Sequence, residues 1–151
     1  MAYAKGTTVS AAKSEGEIRA ALSRLKADSI IVGNDGPMSF VLFRANGRYV
    51  KFEVAAPDRA KFRTDGRHRL RNGAQIDKAV LDEMNRRWRA LALLVKAKIT
   101  AIEDGIATFE EEFMAAHVMP DGKRFIEHAA PAIDEAYQIG GAPRLMLSGP
   151  K

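Results

Sequence analysis

Apolar residues first recur at helical spacing near the N-terminus. Ile18, Ala21, Leu22 and Leu25 fall at i, i+3, i+4 and i+7, which lines one face of a helix. Arg19, Arg24 and Lys26 take the opposite face. Ser14-Glu15-Gly16-Glu17 reads as a capping box, in which the Ser hydroxyl accepts from a backbone N–H and Glu17 reaches back. The pattern predicts a first helix from about Glu15 to Lys26.

The period then changes to that of strands. Ser29 to Val32 is short and β-branched, and Gly33-Asn34-Asp35-Gly36-Pro37 is a dense turn signal. Ser39 to Ala45 is apolar and aromatic. Asn46-Gly47 is a hairpin signal, because both central residues of a type I′ turn need positive φ. Arg48 to Ala55 returns with alternation: Val50, Phe52 and Val54 on one side, Tyr49, Lys51 and Glu53 on the other. This predicts an antiparallel meander with one packed face.

From Ala74 to Asp104 there is no Gly or Pro. Ile76, Val80, Met84, Trp88, Leu91, Val95, Ile99 and Ile102 step by three or four residues, the signature of one long helix. Gly105 supplies its stop. Thr108-Phe109-Glu110-Glu111 is a second capping box, opening an acidic helix to about Val118. A last helical region carries Ile126, Ala130, Ile133 and Tyr137, with Pro131 either in its first turn or dividing it. The expected class is α+β: an N-terminal helix, a three-stranded antiparallel meander, a long helix packed on the sheet, and C-terminal helices. Residues 14–104 are expected to form the core unit and 105–140 an acidic helical subdomain. Residues 1–13 and 141–151 are expected to be tails.

Composition narrows the chemistry. The 151 residues include no Cys. That excludes a disulfide scaffold, a Cys-ligated zinc site and a thiol nucleophile, and fits a reducing compartment. No apolar run approaches the roughly 20 residues needed to span a bilayer, and Met1 to Ser10 lacks the apolar core of a secretory signal. The expected location is the cytoplasm, with no membrane partner.

Charge changes the picture more. Lys and Arg total 24 against 19 Asp and Glu, a net of +5. Residues 1–71 hold 14 basic and 7 acidic residues, 72–99 hold 6 and 3, and 100–151 hold 4 and 9. A basic front suits a polyanion, and the acidic rear fits solvent, the basic part of a neighbouring copy, or a protein partner. The segment 57–71 concentrates the front's charge: Arg59, Lys61, Arg63, Arg67, Arg69 and Arg71, with His68 and the single interleaved aromatic Phe62. Lys and Arg on an accessible segment neutralise phosphates, and a ring beside them can stack on a base. The same charges also fit a solvated loop, or one laid on acidic residues. Arg86 and Arg89, flanking Trp88 with Arg87, either extend this basic surface or pair with acids such as Asp82 and Glu83. Trp88 lies on the apolar stripe, so a core role is expected.

Other chemistries find little. Glu110, Glu111, Glu112 and His117 lack a metal-binding spacing, since Met114 and Phe113 precede His117 by three and four residues. Pro57-Asp58 and Pro120-Asp121 are followed by no acid-x-Lys strand of the nuclease type. No nucleophile elbow or Gly-rich phosphate loop occurs, so neither cofactor nor metal is expected and the reading leans away from an enzyme.

Two resemblances add to this. Helix, three-strand meander, helix over about residues 14–100, with Gly36-Pro37 before a strand and Phe40 to Val54 around Asn46-Gly47, resembles the double-stranded-RNA-binding domain. That family carries a Lys-Lys-x-Ala-Lys cluster opening its last helix and a His after Gly-Pro. Here that helix opens Gly73-Ala74-Gln75-Ile76, and Met38-Ser39 follow Gly-Pro. Over nearly the whole chain, Lys13 to Ile18, Arg87-Trp88-Arg89-Ala90-Leu91 and Thr108 to Phe113 running to Pro120-Asp121-Gly122 are similar to small uncharacterised phage and prophage proteins. This resemblance implies a phage setting and no activity. The combined expectation is a non-enzymatic module that binds DNA or RNA through Arg59, Lys61, Phe62, Arg63, Arg67, His68, Arg69, Arg71, Arg86 and Arg89. The alternative is a protein-interaction module, a small inhibitor or accessory factor, using the acidic helix and the basic loop.

Overall fold

A computed structural model describes residues 9–144. The chain forms α1 (Ala11–Arg24), β1 (Ser29–Asp35), β2 (Met38–Ala45), β3 (Arg48–Ala55), α2 (Gly73–Glu103), α3 (Phe109–Phe113) and α4 (Phe125–Ile139). This is the α+β layout the hydrophobic pattern predicts. The sheet runs β1-β2-β3, with both pairs antiparallel.

Helix α1 starts earlier than the capping signal suggested. Its N-cap is Ser10, whose side chain accepts from the Lys13 N–H at 3.2 Å. Ser14 lies within the helix and is fully buried. The added turn brings the Ala11 N–H to Asn85 Oδ1 of α2 at 2.9 Å, a tertiary contact that the local Ser-x-x-Glu pattern does not register. Residues 11–13, expected in a tail, are therefore helical. The expected tail positions 1–8 and 145–151 lie outside the described residues.

Strand β1 likewise continues through the turn signal. Gly33 and Asn34 pair with Phe40 and Ser39, and the Ser39 hydroxyl donates to Asn34 Oδ1 at 2.8 Å. The turn shrinks to Gly36-Pro37, with Gly36 at φ +58°. At the next turn Asn46 and Gly47 take φ +51° and +73°, as a two-residue hairpin requires.

One face of the sheet is packed. Val41, Phe43 and Ala45 of β2 and Val50 and Val54 of β3 join Ile18 and Leu22 of α1 and Trp88, Leu91, Val95 and Ile99 of α2 in a single buried cluster. Trp88 is a core residue, 6% exposed. Phe109, Phe113 and Ala116 belong to the same cluster. Phe113 meets Phe43 edge-to-face at 5.6 Å and Phe52 at 6.0 Å. The core thus crosses the expected boundary at residue 104.

Helix α3 opens with the expected capping box: Thr108 Oγ1 accepts from Glu111 N–H, and Glu111 accepts from Thr108 N–H. The acidic helix stops at Phe113, short of the expected Val118. A 3-10 turn follows over Met114–Ala116. The chain then extends, and the Val118 N–H donates to the Tyr49 carbonyl on the β3 edge at 2.8 Å. Edge pairing wins over another helical turn because it satisfies an open strand. Helix α4 packs chiefly on the Met114–Ala116 turn and runs unbroken through Pro131.

Candidate nucleic-acid interface

Helix α2 reaches well beyond the core. Its buried residues begin at Trp88, so the turns from Gly73 to Glu83 form an arm about 15 Å long at 1.5 Å per residue. The arm's N-terminus is closed by a capping box. Asn72 Oδ1 accepts from Gln75 N–H and Gln75 Oε1 accepts from Asn72 N–H, both at 2.9 Å.

The basic segment 57–71 is ordered along this arm. Asp58 Oδ1 accepts from the Ala60 N–H at 3.0 Å and starts a 3-10 turn over Arg59–Phe62. Thr64 and Leu70 then pair as an isolated antiparallel bridge, closing a small finger. Asp65 organises its tip. One carboxylate oxygen accepts from the Arg67 and Arg69 N–H groups at 2.8 and 3.0 Å. The other takes the Arg69 guanidinium at 3.1 Å. A short acceptor side chain at this position nucleates a turn, and Gly66 and His68, at φ +59°, complete it. These bonds, led by that from the Arg69 backbone, hold the Asp65 carboxyl below its usual pKa.

The finger's base is braced by its own cations. Arg71 donates to the Phe62 and Thr64 carbonyls at 3.1 and 3.0 Å, while its N–H bonds the Arg63 carbonyl at 2.8 Å. Arg59 pairs with Asp77 on α2. Three of the six expected phosphate contacts, Arg59, Arg69 and Arg71, are therefore engaged within the protein. Lys61, Arg63 and Arg67 are exposed, and their side chains meet no carboxylate among the described residues. His68 is exposed beside them, whereas Phe62 is half-buried. An open cleft of about 500 Å³ separates finger and helix, lined by Asp65, Arg69, Leu70, Gln75 and Lys78 among others.

Arg86 and Arg89 stand in other roles. Arg86 donates twice to Glu83, at 2.8 and 2.7 Å, and Arg87 bonds both Glu83 and the Ala55 carbonyl. Arg89 pairs with Glu17 of α1, which Lys96 also meets at 3.2 Å. The Ala55 and Glu17 contacts tie α2 to β3 and α1, whereas the pairs with Glu83 lie within α2. The hydrogen bond from Arg86, seconded by Arg87, lowers the Glu83 pKa to about 2.

The basic segment does not lie on the acidic helix. Glu111 serves the α3 cap, and Glu112 pairs with Lys98 at 3.2 Å. His117 is buried, its Nδ1 2.7 Å from the Phe113 carbonyl. Among the described residues no His, Asp or Glu cluster is arranged to hold a metal, and no helix is long and apolar enough to cross a membrane. Sequence reasoning missed the Asn72–Gln75 box, although Asn-x-x-Gln ahead of the long helix carried that signal. Compared with family models, with curated proteins and with solved structures, the chain finds no match.

Proposed function

We propose that this protein is a non-enzymatic nucleic-acid-binding module of phage or prophage DNA or RNA metabolism, gripping phosphates with its basic finger. The observation that carries this reading is the set Lys61, Arg63 and Arg67: exposed cations without carboxylate partners among the described residues, on a segment braced against a projecting helix. Cations carried on a braced backbone cost less ordering entropy on meeting phosphate than cations on a free loop. Arg59 and Arg69 add to the local potential but are partly neutralised by Asp77 and Asp65.

The test is fluorescence anisotropy of the full chain with single-stranded DNA, duplex DNA and duplex RNA across a salt series. About three phosphate contacts on a duplex give a log–log salt slope near −3. A flat salt response, or no binding at low salt, overturns the reading.

A protein-interaction module is the second reading, and one observation favours it. Helix α4 exposes Ile133, Tyr137 and Ile139 beside Asp134 and Glu135. An acidic partner surface would then lie on α4 rather than α3, whose carboxylates Glu111 and Glu112 are occupied.

A further inference from the structure

The two edges of the sheet are finished differently. Two-residue turns, Gly36-Pro37 and Asn46-Gly47, close both hairpins. The residues flanking such a turn form a hydrogen-bonded pair, and bonded pairs alternate along the strands from there. On β3 the alternation turns the backbone groups of Tyr49, Lys51, Glu53 and Ala55 away from β2. The protein closes both ends of that edge itself. The Tyr49 carbonyl accepts from the Val118 N–H at 2.8 Å, and the Ala55 carbonyl accepts from Arg87 at 2.6 Å. On β1 the same alternation turns out the N–H and C=O groups of Ile30, Val32 and Asn34. These meet no backbone partner among the described residues.

An open edge is commonly guarded by a Lys, a Pro or a bulge. Strand β1, Ser-Ile-Ile-Val-Gly-Asn-Asp, has no Lys, Arg or Pro, and it pairs with β2 without a break. Its one charge, Asp35, stands at its end. Ile31 lies on the sheet face opposite the helices and is 49% exposed.

The strand is also its own complement. Antiparallel pairing of two copies about a twofold axis at Val32 is the register that matches every residue of β1. It sets Val32 against Val32 and Ile30 against Asn34, and each such pair exchanges two backbone hydrogen bonds. On the open face it sets Ile31 of one copy beside Gly33 of the other. The tip of the Phe40 ring lies over Gly33, 2.9 Å from where a Cβ would stand. The incoming Ile31 therefore meets that ring across a residue with no side chain. Asp35 of one copy falls in the row of Ser29 and Arg44 of the other, opposite in sign to the guanidinium. No pair in this register sets like charges against each other. Each copy covers its own Ile31 and fills its partner's Gly33 site in the same act, as a twofold contact requires.

We propose that the protein forms a twofold dimer in solution through antiparallel β1–β1 pairing, which joins two three-stranded sheets into one. Sedimentation of the full chain across a concentration series, with amide hydrogen exchange at its two ends, tests this. The chain should pass from monomer to dimer. The Ile30, Val32 and Asn34 amides should gain protection with the dimer, while the Ile31 and Gly33 amides, directed at β2, should not change. Ile31→Lys supplies the missing guard and should raise the dimer dissociation constant about tenfold or more. Leu94→Lys, at a comparably exposed apolar residue of α2, should leave it unchanged. Thermal melts matching the parent's at low concentration establish that both variants fold. If Ile31→Lys melts early, the exchange pattern of the parent chain decides alone. A chain that stays monomeric throughout overturns the proposal. So does a dimer that a folded Ile31→Lys leaves at full strength, or one without added protection at Ile30, Val32 and Asn34. The nucleic-acid reading rests on the finger and is tested separately.

Discussion

The Asp65 carboxylate holds Arg69 twice, through its backbone N–H at 3.0 Å and its guanidinium Nε at 3.1 Å. An acid inside a basic segment thus serves as its organiser. Asp65→Ala should remove hydrogen-exchange protection from the Arg67 and Arg69 amides. Asp65→Asn keeps a side-chain acceptor and should retain most of it. Global stability should change little in either, because the finger lies outside the buried core.

The free and engaged cations should separate in a salt titration. Lys61→Ala, Arg63→Ala and Arg67→Ala should each reduce the log–log salt slope by about 0.9 on duplex DNA. Arg86→Ala and Arg89→Ala should leave that slope unchanged, because those guanidiniums are spent on Glu83 and Glu17.

Glu83 gives the protein an acid-sensitive contact. Its folded pKa of about 2 lies below the ordinary 4.5. A depressed carboxyl pKa contributes stability above the unfolded value and sheds it as pH falls through the folded one. Glu83→Gln should therefore be less stable than the parent at neutral pH. The difference should close between about pH 4.5 and 2, as read from urea midpoints across that range.

Phe113 ties the C-terminal region to the sheet. It is fully buried and meets Phe43, Phe52 and Phe109. Phe113→Ala should cost about 3–5 kcal/mol in urea unfolding. A chain ending at Asp104 should show a lowered and broadened transition, since Phe109, Phe113 and Ala116 leave the shared core.

Much of the fold was legible because local patterns and tertiary packing agreed. The three- and four-residue steps through Trp88, Leu91, Val95 and Ile99 gave both the long helix and its buried face. Asn46-Gly47 fixed a hairpin because the turn's positive φ values admit few other residues. The departures arose where a distant group altered a local balance. Ser10 outcompeted Ser14 once Asn85 received the Ala11 N–H. Gly33 and Asn34 stayed in strand because Phe40 and Ser39 paired with them.

The candidate site divides the same way. The sequence by itself determined that six Lys and Arg residues gather in positions 57–71, since clustering along a chain is a covalent fact. It also set Asp65 within reach of Arg69, four residues on. Which cations keep their charge for a partner was decided only in three dimensions. Asp77, 18 residues from Arg59, comes against it only because the 3-10 turn packs along α2. Arg89 and Glu17, 72 residues apart, meet only because α1 crosses α2. Interactions between exposed charges are screened over about 8 Å at physiological salt, so the useful surface charge of this protein follows from its packing as much as from its composition.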